Sequence, residues 1–187
     1  MSHERSLLYN QHGAIGISEC PLRHTPQKKT LQPSSSVAAH DNHCGTQFFR
    51  LADNNFREVV LTGIHLGAYG LDLSPNSSLE KLVREILQCT ALQRLRIGSG
   101  DPNEFSDELI GLCASSTKIC QHFHIPLQSG CDSVLQRMGR PYSTAQFCDL
   151  LDKIRNDLPH AFIGSDIIAG FPGETDAEFQ TTCNLVN

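Results

Sequence analysis

The sequence predicts an α/β fold: a partial, incomplete (β/α) barrel preceded by a disordered or irregular tail. Three observations carry this. Short apolar or alternating runs recur with amphipathic helical stripes between them. Each run ends in a polar, Gly-rich stretch, and these exits lie about 30–40 residues apart, the spacing of βα units. Three Ser/Thr-x-x-Glu/Gln boxes mark helix starts. Strand, loop, helix, strand, repeated, means parallel strands with right-handed crossovers. Four such units are too few for a complete eight-fold barrel, and a doubly wound sheet is the competing architecture.

Residues 1–48 stand apart. They hold Pro21, Pro26, Pro33, the Ser34-Ser35-Ser36 run and Lys28-Lys29, and no stretch keeps a period of two or 3.6 for long. Residues 49–187 form the second unit, the barrel domain. Glu58–Thr62 is short and β-branched, a buried strand leaving through Gly63-Ile-His65-Leu-Gly67-Ala-Tyr69-Gly70. Ser77-Ser-Leu-Glu80 is a capping box before the stripe Leu79, Leu82, Val83, Ile86, Leu87. Leu92–Ile97 is the next strand, leaving through Gly98-Ser-Gly-Asp101-Pro102, and Ser106 caps a helix to about Ala114. The third strand, His122–Leu127, leaves through Gln128-Ser-Gly130, and Asp132 opens a short helix to about Met138. Ser143-Thr-Ala-Gln146 starts a helix that buries Phe147, Leu150, Leu151 and Ile154. Ala161–Ala169 is the fourth strand, leaving through Gly170-Phe-Pro-Gly173-Glu174, and Thr175-Asp-Ala-Glu178 caps the last helix.

Composition limits the function classes. No run of 18 apolar residues is present, so no membrane helix is expected. A net charge of -5 gives no global electrostatic case for nucleic acid. The N-terminus lacks the layout of a signal peptide, which leads us to expect a cytoplasmic protein. The eight Cys include no Cys-x-x-Cys pair and read as mostly free, buried thiols.

Parallel α/β folds place their sites at the carboxyl ends of the strands. All four exits here are polar and Gly-rich, and Gly lets backbone N–H groups approach a ligand. If Leu95, Ile97, Phe123, Ile125 and Leu127 face the helices, the opposite face collects Arg94, Arg96, His122, His124 and Asp166. Buried together, such charges are costly unless they serve a ligand. Cys120, His122 and His124 share parity and with Asp166 make a candidate metal set, the basis of an alternative reading as a metal-dependent hydrolase. Two neutral His bonded to carboxylate or backbone are the competing reading. Cys131 follows a strand exit and could be posed as a nucleophile. No Gly-x-Gly-x-x-Gly opens a helix after a strand, and no P-loop or Gly-x-Ser-x-Gly elbow is present.

Four runs together resemble the radical S-adenosylmethionine methylthiotransferases: Leu61-Thr-Gly-Ile-His-Leu-Gly67-Ala-Tyr-Gly70, His124-Ile-Pro-Leu-Gln-Ser-Gly130, Met138-Gly-Arg140-Pro-Tyr142 and Asp166-Ile-Ile-Ala-Gly-Phe-Pro-Gly-Glu-Thr175. The resemblance covers about Arg50–Asn187. The Thr-Gly-Ile-His-Leu-Gly form is most similar to the branch that methylthiolates threonylcarbamoyladenosine 37 of tRNA. The resemblance implies a radical SAM-type partial barrel holding S-adenosylmethionine and a [4Fe–4S] cluster. It implies chemistry at C2 of the adenine, a second cluster that supplies sulfur, a tRNA substrate and an electron donor. It implies that Gly63 and His65 meet the methionine end of the cofactor. Ser99 and Asp101 match the next exit, where Asp101 stands for the usual Glu. Gln128 and Ser129 match the exit near the ribose and sulfonium, and Gly170, Phe171, Pro172 and Gly173 match the adenine-side turn.

One departure is large. The family's Cys-x-x-x-Cys-x-x-Cys triad should precede the Glu58 strand, and Cys20 and Cys44 do not form it. Neither the N-terminal domain for the second cluster nor the C-terminal RNA-binding domain is recognisable. A truncation, a frameshift upstream of about residue 48 or an incomplete sequence would account for this. The expectation is a fragment inactive by itself. A further alternative is a non-catalytic RNA-binding remnant using Arg84, Lys118, Arg137 and Arg140.

Overall fold

The computed structural model describes residues 5–9, 15–19, 57–63, 65–73, 75–88 and 92–187, the first two stretches as backbone only. The elements run β1 (Arg5–Tyr9), β2 (Ile15–Glu19), β3 (Glu58–Leu61), α1 (Leu79–Gln88), β4 (Arg94–Ile97), α2 (Asp107–Ser115), β5 (His122–His124), α3 (Asp132–Arg137), α4 (Thr144–Asp157), β6 (Phe162–Gly164) and α5 (Asp176–Val186). Two 3-10 turns, Leu66–Ala68 and Pro102–Glu104, sit in the first two exits.

The expected βα rhythm is present. β3 pairs β4 in parallel, with Val59 opposite Leu95 and Leu61 opposite Ile97. β5 pairs β6 in parallel, with His122 opposite Phe162 and His124 opposite Gly164. A parallel bridge between Leu95 and Ile119 joins the two sheets. The strands follow one another in space as in sequence from β3 to β6, which is the order of an opened barrel wall rather than of a doubly wound sheet.

Two short stretches of the irregular tail are described. Residues 1–48 contain strands: β1 pairs β2 antiparallel and lies parallel beside β3, Leu7 opposite Val59. Ile15-Gly-Ile-Ser alternates too briefly for the pattern alone to mark it, and pairing to β1 supplies what local propensity lacks. The rest of that segment, including Cys20 and Cys44, lies outside the described residues, as do Ile64, Ser74 and Cys89.

The strands are shorter than their apolar runs, for identifiable reasons. In β5 the Ile125 N–H still reaches the Gly164 carbonyl, but Pro126 has no N–H to give, and Leu127 N–H turns to the Ser165 hydroxyl at 2.9 Å. The same hydroxyl ends β6. In β4 the N–H groups of Gln93 and Arg94 share the Arg57 carbonyl, so regular pairing starts at Arg94.

The core lies between the strands and α1, α2 and α4. Val59, Leu61, Leu95, Ile97, Phe123, Ile125 and Leu127 are buried with Leu82, Val83, Ile86, Leu109, Ile110, Phe147 and Ile154. Each such side chain contributes about 1.5–3 kcal/mol relative to exposure. The helix starts follow their signals. Ser106 Oγ accepts from Leu109 N–H, and Ser143 and Thr175 form full capping boxes with Gln146 and Glu178. At α1 the cap sits one residue later than expected: Ser78 Oγ accepts from Lys81 N–H, while Ser77 N–H is taken by the Gly70 carbonyl. Glu80 bonds the Ser106 hydroxyl instead, which draws its carboxyl below the usual range although burial opposes this.

Candidate functional site

The four strand exits are stitched edge to edge. Gly98 N–H donates to the Leu61 carbonyl at 2.7 Å, and a Cβ at Gly98 would stand 2.6 Å from that oxygen, so a residue without a side chain is required. Gly100 N–H donates to the His124 carbonyl at 3.2 Å. Gln128 N–H donates to Asp166 and Ile168 N–H donates to Gln128, both at 2.8 Å. The result is a continuous rim at the carboxyl ends of β3 to β6.

The rim carries a polar network across its first two exits, reaching Arg140 after α3. His65, 60% exposed, places Nδ1 3.3 Å from Glu104 Oε1. The other oxygen of Glu104 accepts from Asp101 N–H at 3.0 Å. Asp101 Oδ1 lies 3.7 Å from the Arg140 guanidinium, and the buried Arg140 Nε has no hydrogen-bond partner. Glu104 lay outside the sequence expectation. The signal was Asp101-Pro-Asn-Glu104, a capping box on a single 3-10 turn.

The expected faces hold. Leu95, Ile97 and Phe123 are buried against the helices, and Arg94, Arg96, His122 and His124 point the other way. Glu58 takes the two arginines, with Arg94 at 3.1 Å and Arg96 at 3.7 Å. His122 stacks on Phe162, ring centroids 5.2 Å apart at 11°, and burial together with Arg96 lowers its pKa. His124 bonds Ser99 Oγ through Nδ1 at 2.8 Å and lies 3.4 Å from Asp166 through Nε2.

The candidate residues divide. Gly63, His65, Ser99, Asp101, Gln128 and Gly170–Gly173 all lie along the rim. Gln128 adopts φ 65, a left-handed backbone uncommon for a residue with a side chain, enforced by its two bonds to the strand beside it. Ser129 turns away. Its side chain is fully buried, bonds Thr182 at 3.2 Å and accepts from Cys131 N–H. Its hydroxyl holds the turn to α5, at the exit that the resemblance matches to the ribose and sulfonium. The fourth exit is shaped by Glu174, which accepts from Gly170 N–H at 2.6 Å and Phe171 N–H at 3.2 Å. Gly170 and Gly173 have φ near +74 and +80 with open space around them, and Pro172 is exposed.

The metal reading finds no support. Among the described residues no three His, Cys, Asp or Glu side chains converge on a metal-sized position. His122 is committed to Phe162 and His124 to Ser99 and Asp166, while burial raises the Cys120 thiol pKa. The basic groups expected of an RNA-binding remnant are also engaged. Arg84 pairs with Glu108, Arg137 with Glu178 and Arg140 with Asp101, and Lys118 bonds the Leu87 carbonyl.

The donor sets discriminate between the two implied groups. A [4Fe–4S] cluster needs convergent thiolates. The described thiols, Cys113, Cys120, Cys131, Cys148 and Cys183, lie on different elements, and burial pushes Cys113 up to about 12. The whole chain contains no Cys-x-x-x-Cys-x-x-Cys, so these residues do not fit the cluster. An adenosyl ligand is different. The rim offers an exposed imidazole, the Ser99 hydroxyl, the Asp166 carboxylate and a Gly-lined turn with room above it, which suit a nucleoside carrying an amino acid tail.

The family model described as the Radical SAM superfamily matches residues 49–186. The tRNA-2-methylthio-N(6)-dimethylallyladenosine synthase of Natranaerobius thermophilus is 38% identical over 144 residues, which are 77% of this chain and 32% of the relative. The threonylcarbamoyladenosine tRNA methylthiotransferase of Bacillus subtilis is 42% identical over 138 residues, 73% of this chain and 30% of the relative. The chain thus spans about a third of the length of these relatives. Among solved structures, the radical S-adenosylmethionine methyltransferase TsrM from Kitasatospora setae superposes with a TM-score of 0.57 at 18% identity, covering 75% of this chain and 27% of that one. The cobalamin-dependent radical enzyme OxsB, with S-adenosylmethionine bound, gives 0.58 at 9% identity, covering 75% and 22%. At such identities the likeness concerns the fold alone.

Proposed function

The chain belongs to the radical SAM superfamily, and on that premise we propose that residues 49–186 are the adenosyl-binding unit of a tRNA methylthiotransferase acting on N6-threonylcarbamoyladenosine 37. One observation carries the branch: the Thr62-Gly63-Ile64-His65-Leu66-Gly67 run stands at the first strand exit, with His65 exposed on the rim. Identity to relatives of the two tRNA branches is similar, 38% and 42%, so overall likeness does not separate them.

In this reading the Gly63–His65 segment holds the methionine end of S-adenosylmethionine. Ser99 and Gln128 hold the ribose side, and the Gly170–Gly173 turn holds the adenine. When bound, the cofactor supplies the methyl group and, with a reduced cluster, the radical chemistry of the family. The residues of this chain bind and orient it. They do not supply the cluster, so the chain by itself is inactive. Its setting is cytoplasmic, its macromolecular partner is tRNA, and an electron donor serves the complete enzyme.

A graft tests the branch. Residues 50–187 replace the matching stretch of the Bacillus subtilis relative in a strain without its own copy, and methylthiolated nucleosides are measured in total tRNA. The expected result is methylthio-threonylcarbamoyladenosine. Methylthiolation of dimethylallyladenosine instead would overturn the branch assignment.

A further inference from the structure

Three strands contribute one side chain each to a continuous line, joined by one hydrogen bond and one ion-pair contact. Ser99 leaves β4, His124 ends β5 and Asp166 lies just beyond β6. The Ser99 hydroxyl is 2.8 Å from His124 Nδ1, and Asp166 Oδ2 is 3.4 Å from Nε2. The ring is held in place independently. It lies across Gly164, where a Cβ would come within 3.3 Å of His124 Cδ2, and in-register pairing of β5 with β6 fixes that position. Asp166 is fixed too, since its carbonyl accepts from Gln128 N–H at 2.8 Å.

We propose that Ser99, His124 and Asp166 form a relay that presents the Ser99 oxygen as a fixed acceptor to a hydroxyl or ammonium group of the adenosyl ligand. His124 and Asp166 are positioning residues in it. The chemistry follows from the ring's two nitrogens. Asp166 lies 3.4 Å from Nε2 and favours the tautomer with its proton there, which leaves an acceptor at Nδ1. The Ser99 hydroxyl must then donate inward to Nδ1, and its lone pairs are left facing outward. A serine without the relay would rotate freely and offer either role. Asp166 is 67% exposed and His124 32%, so the line is open to solvent on the face where the ligand arrives.

The inference rests on the adenosyl-binding reading, and its test separates the two. Binding of S-adenosylhomocysteine and of 5′-deoxyadenosine to the whole chain is measured by titration calorimetry. Ser99→Ala is expected to weaken S-adenosylhomocysteine about fivefold to tenfold, the worth of one hydrogen bond. His124→Phe and Asp166→Ala should match it, and Ser99→Ala combined with His124→Phe should be no worse than either alone. Asp166→Asn, which keeps an acceptor, should restore most of the affinity. If the donor is a ribose hydroxyl, 5′-deoxyadenosine shows the same losses; if it is the ammonium, only S-adenosylhomocysteine does. Imidazole ¹⁵N spectra should show a fixed Nε2–H tautomer of His124 that becomes mixed in Asp166→Ala, a change that loss of packing would not produce. Wild-type-like affinity in Asp166→Ala, which sits at an exposed position, would overturn the relay and leave the adenosyl reading standing. No binding of S-adenosylhomocysteine by the wild-type chain would overturn both.

Discussion

Gly130 is packed so closely against α5 that a Cβ there would lie 2.7 Å from the Thr182 Cα and 3.2 Å from the Leu185 side chain. The obstacle at Thr182 is backbone, which cannot rotate aside. Gly130→Ala should therefore destabilise the chain by about 1–3 kcal/mol, read from the midpoint of a denaturant titration. An unchanged midpoint would mean that α5 is free to shift. The buried Cys113 gives a chemical check. With its thiol pushed up to about 12, it should resist alkylation at pH 8 in the folded chain and react once the chain is unfolded. At this scale the parity of His122, His124 and Asp166 was legible in the sequence, because strands alternate by necessity. The burial of Ser129 was not, since its partner Thr182 is 53 residues away and no local pattern joins them. The positive φ of Gln128 was equally hidden, being imposed by bonds to a neighbouring strand.

Between elements, α5 is tied to α3 by the Arg137 guanidinium on Glu178, with Nη1 and Nη2 each 2.9 Å from a carboxylate oxygen. Arg137, then the Ser133 hydroxyl and Thr175 N–H, hold the Glu178 carboxyl well below the usual carboxylate range. A carboxyl with a lowered folded-state pKa stabilises the fold above its unfolded pKa, and the benefit fades as pH falls through and below that value. Thermal stability should thus drop on acidification below about pH 4.5, and Glu178→Gln should flatten that drop. A variant as acid-sensitive as wild type would contradict the role given to this pair. Removing a cap gives a second measure: Ser143→Ala should cost about 1 kcal/mol in denaturant unfolding. Helices were legible because caps and stripes are local. Strand ends were not, because Pro126 and the Ser165 hydroxyl end the pairing of β5 and β6 while the apolar run continues. β1 and β2 escaped notice because their pairing, not their own pattern, makes them strands.

Across the whole molecule, the rim that would hold an adenosyl ligand is assembled from four exits spread over more than a hundred residues, from Gly63 to Gly173. That assembly was expected from βα repetition, since parallel strands bring their carboxyl ends together. Among the described residues the thiols lie on different elements, so the proposed function separates cofactor recognition from cluster chemistry. The most direct measurement is anaerobic reconstitution of the chain with iron and sulfide, addition of a strong reductant and S-adenosylmethionine, and chromatography for 5′-deoxyadenosine. The account predicts no product above a protein-free control and no cluster signal altered by S-adenosylmethionine in electron paramagnetic resonance. Stoichiometric 5′-deoxyadenosine from a reconstituted cluster would contradict it.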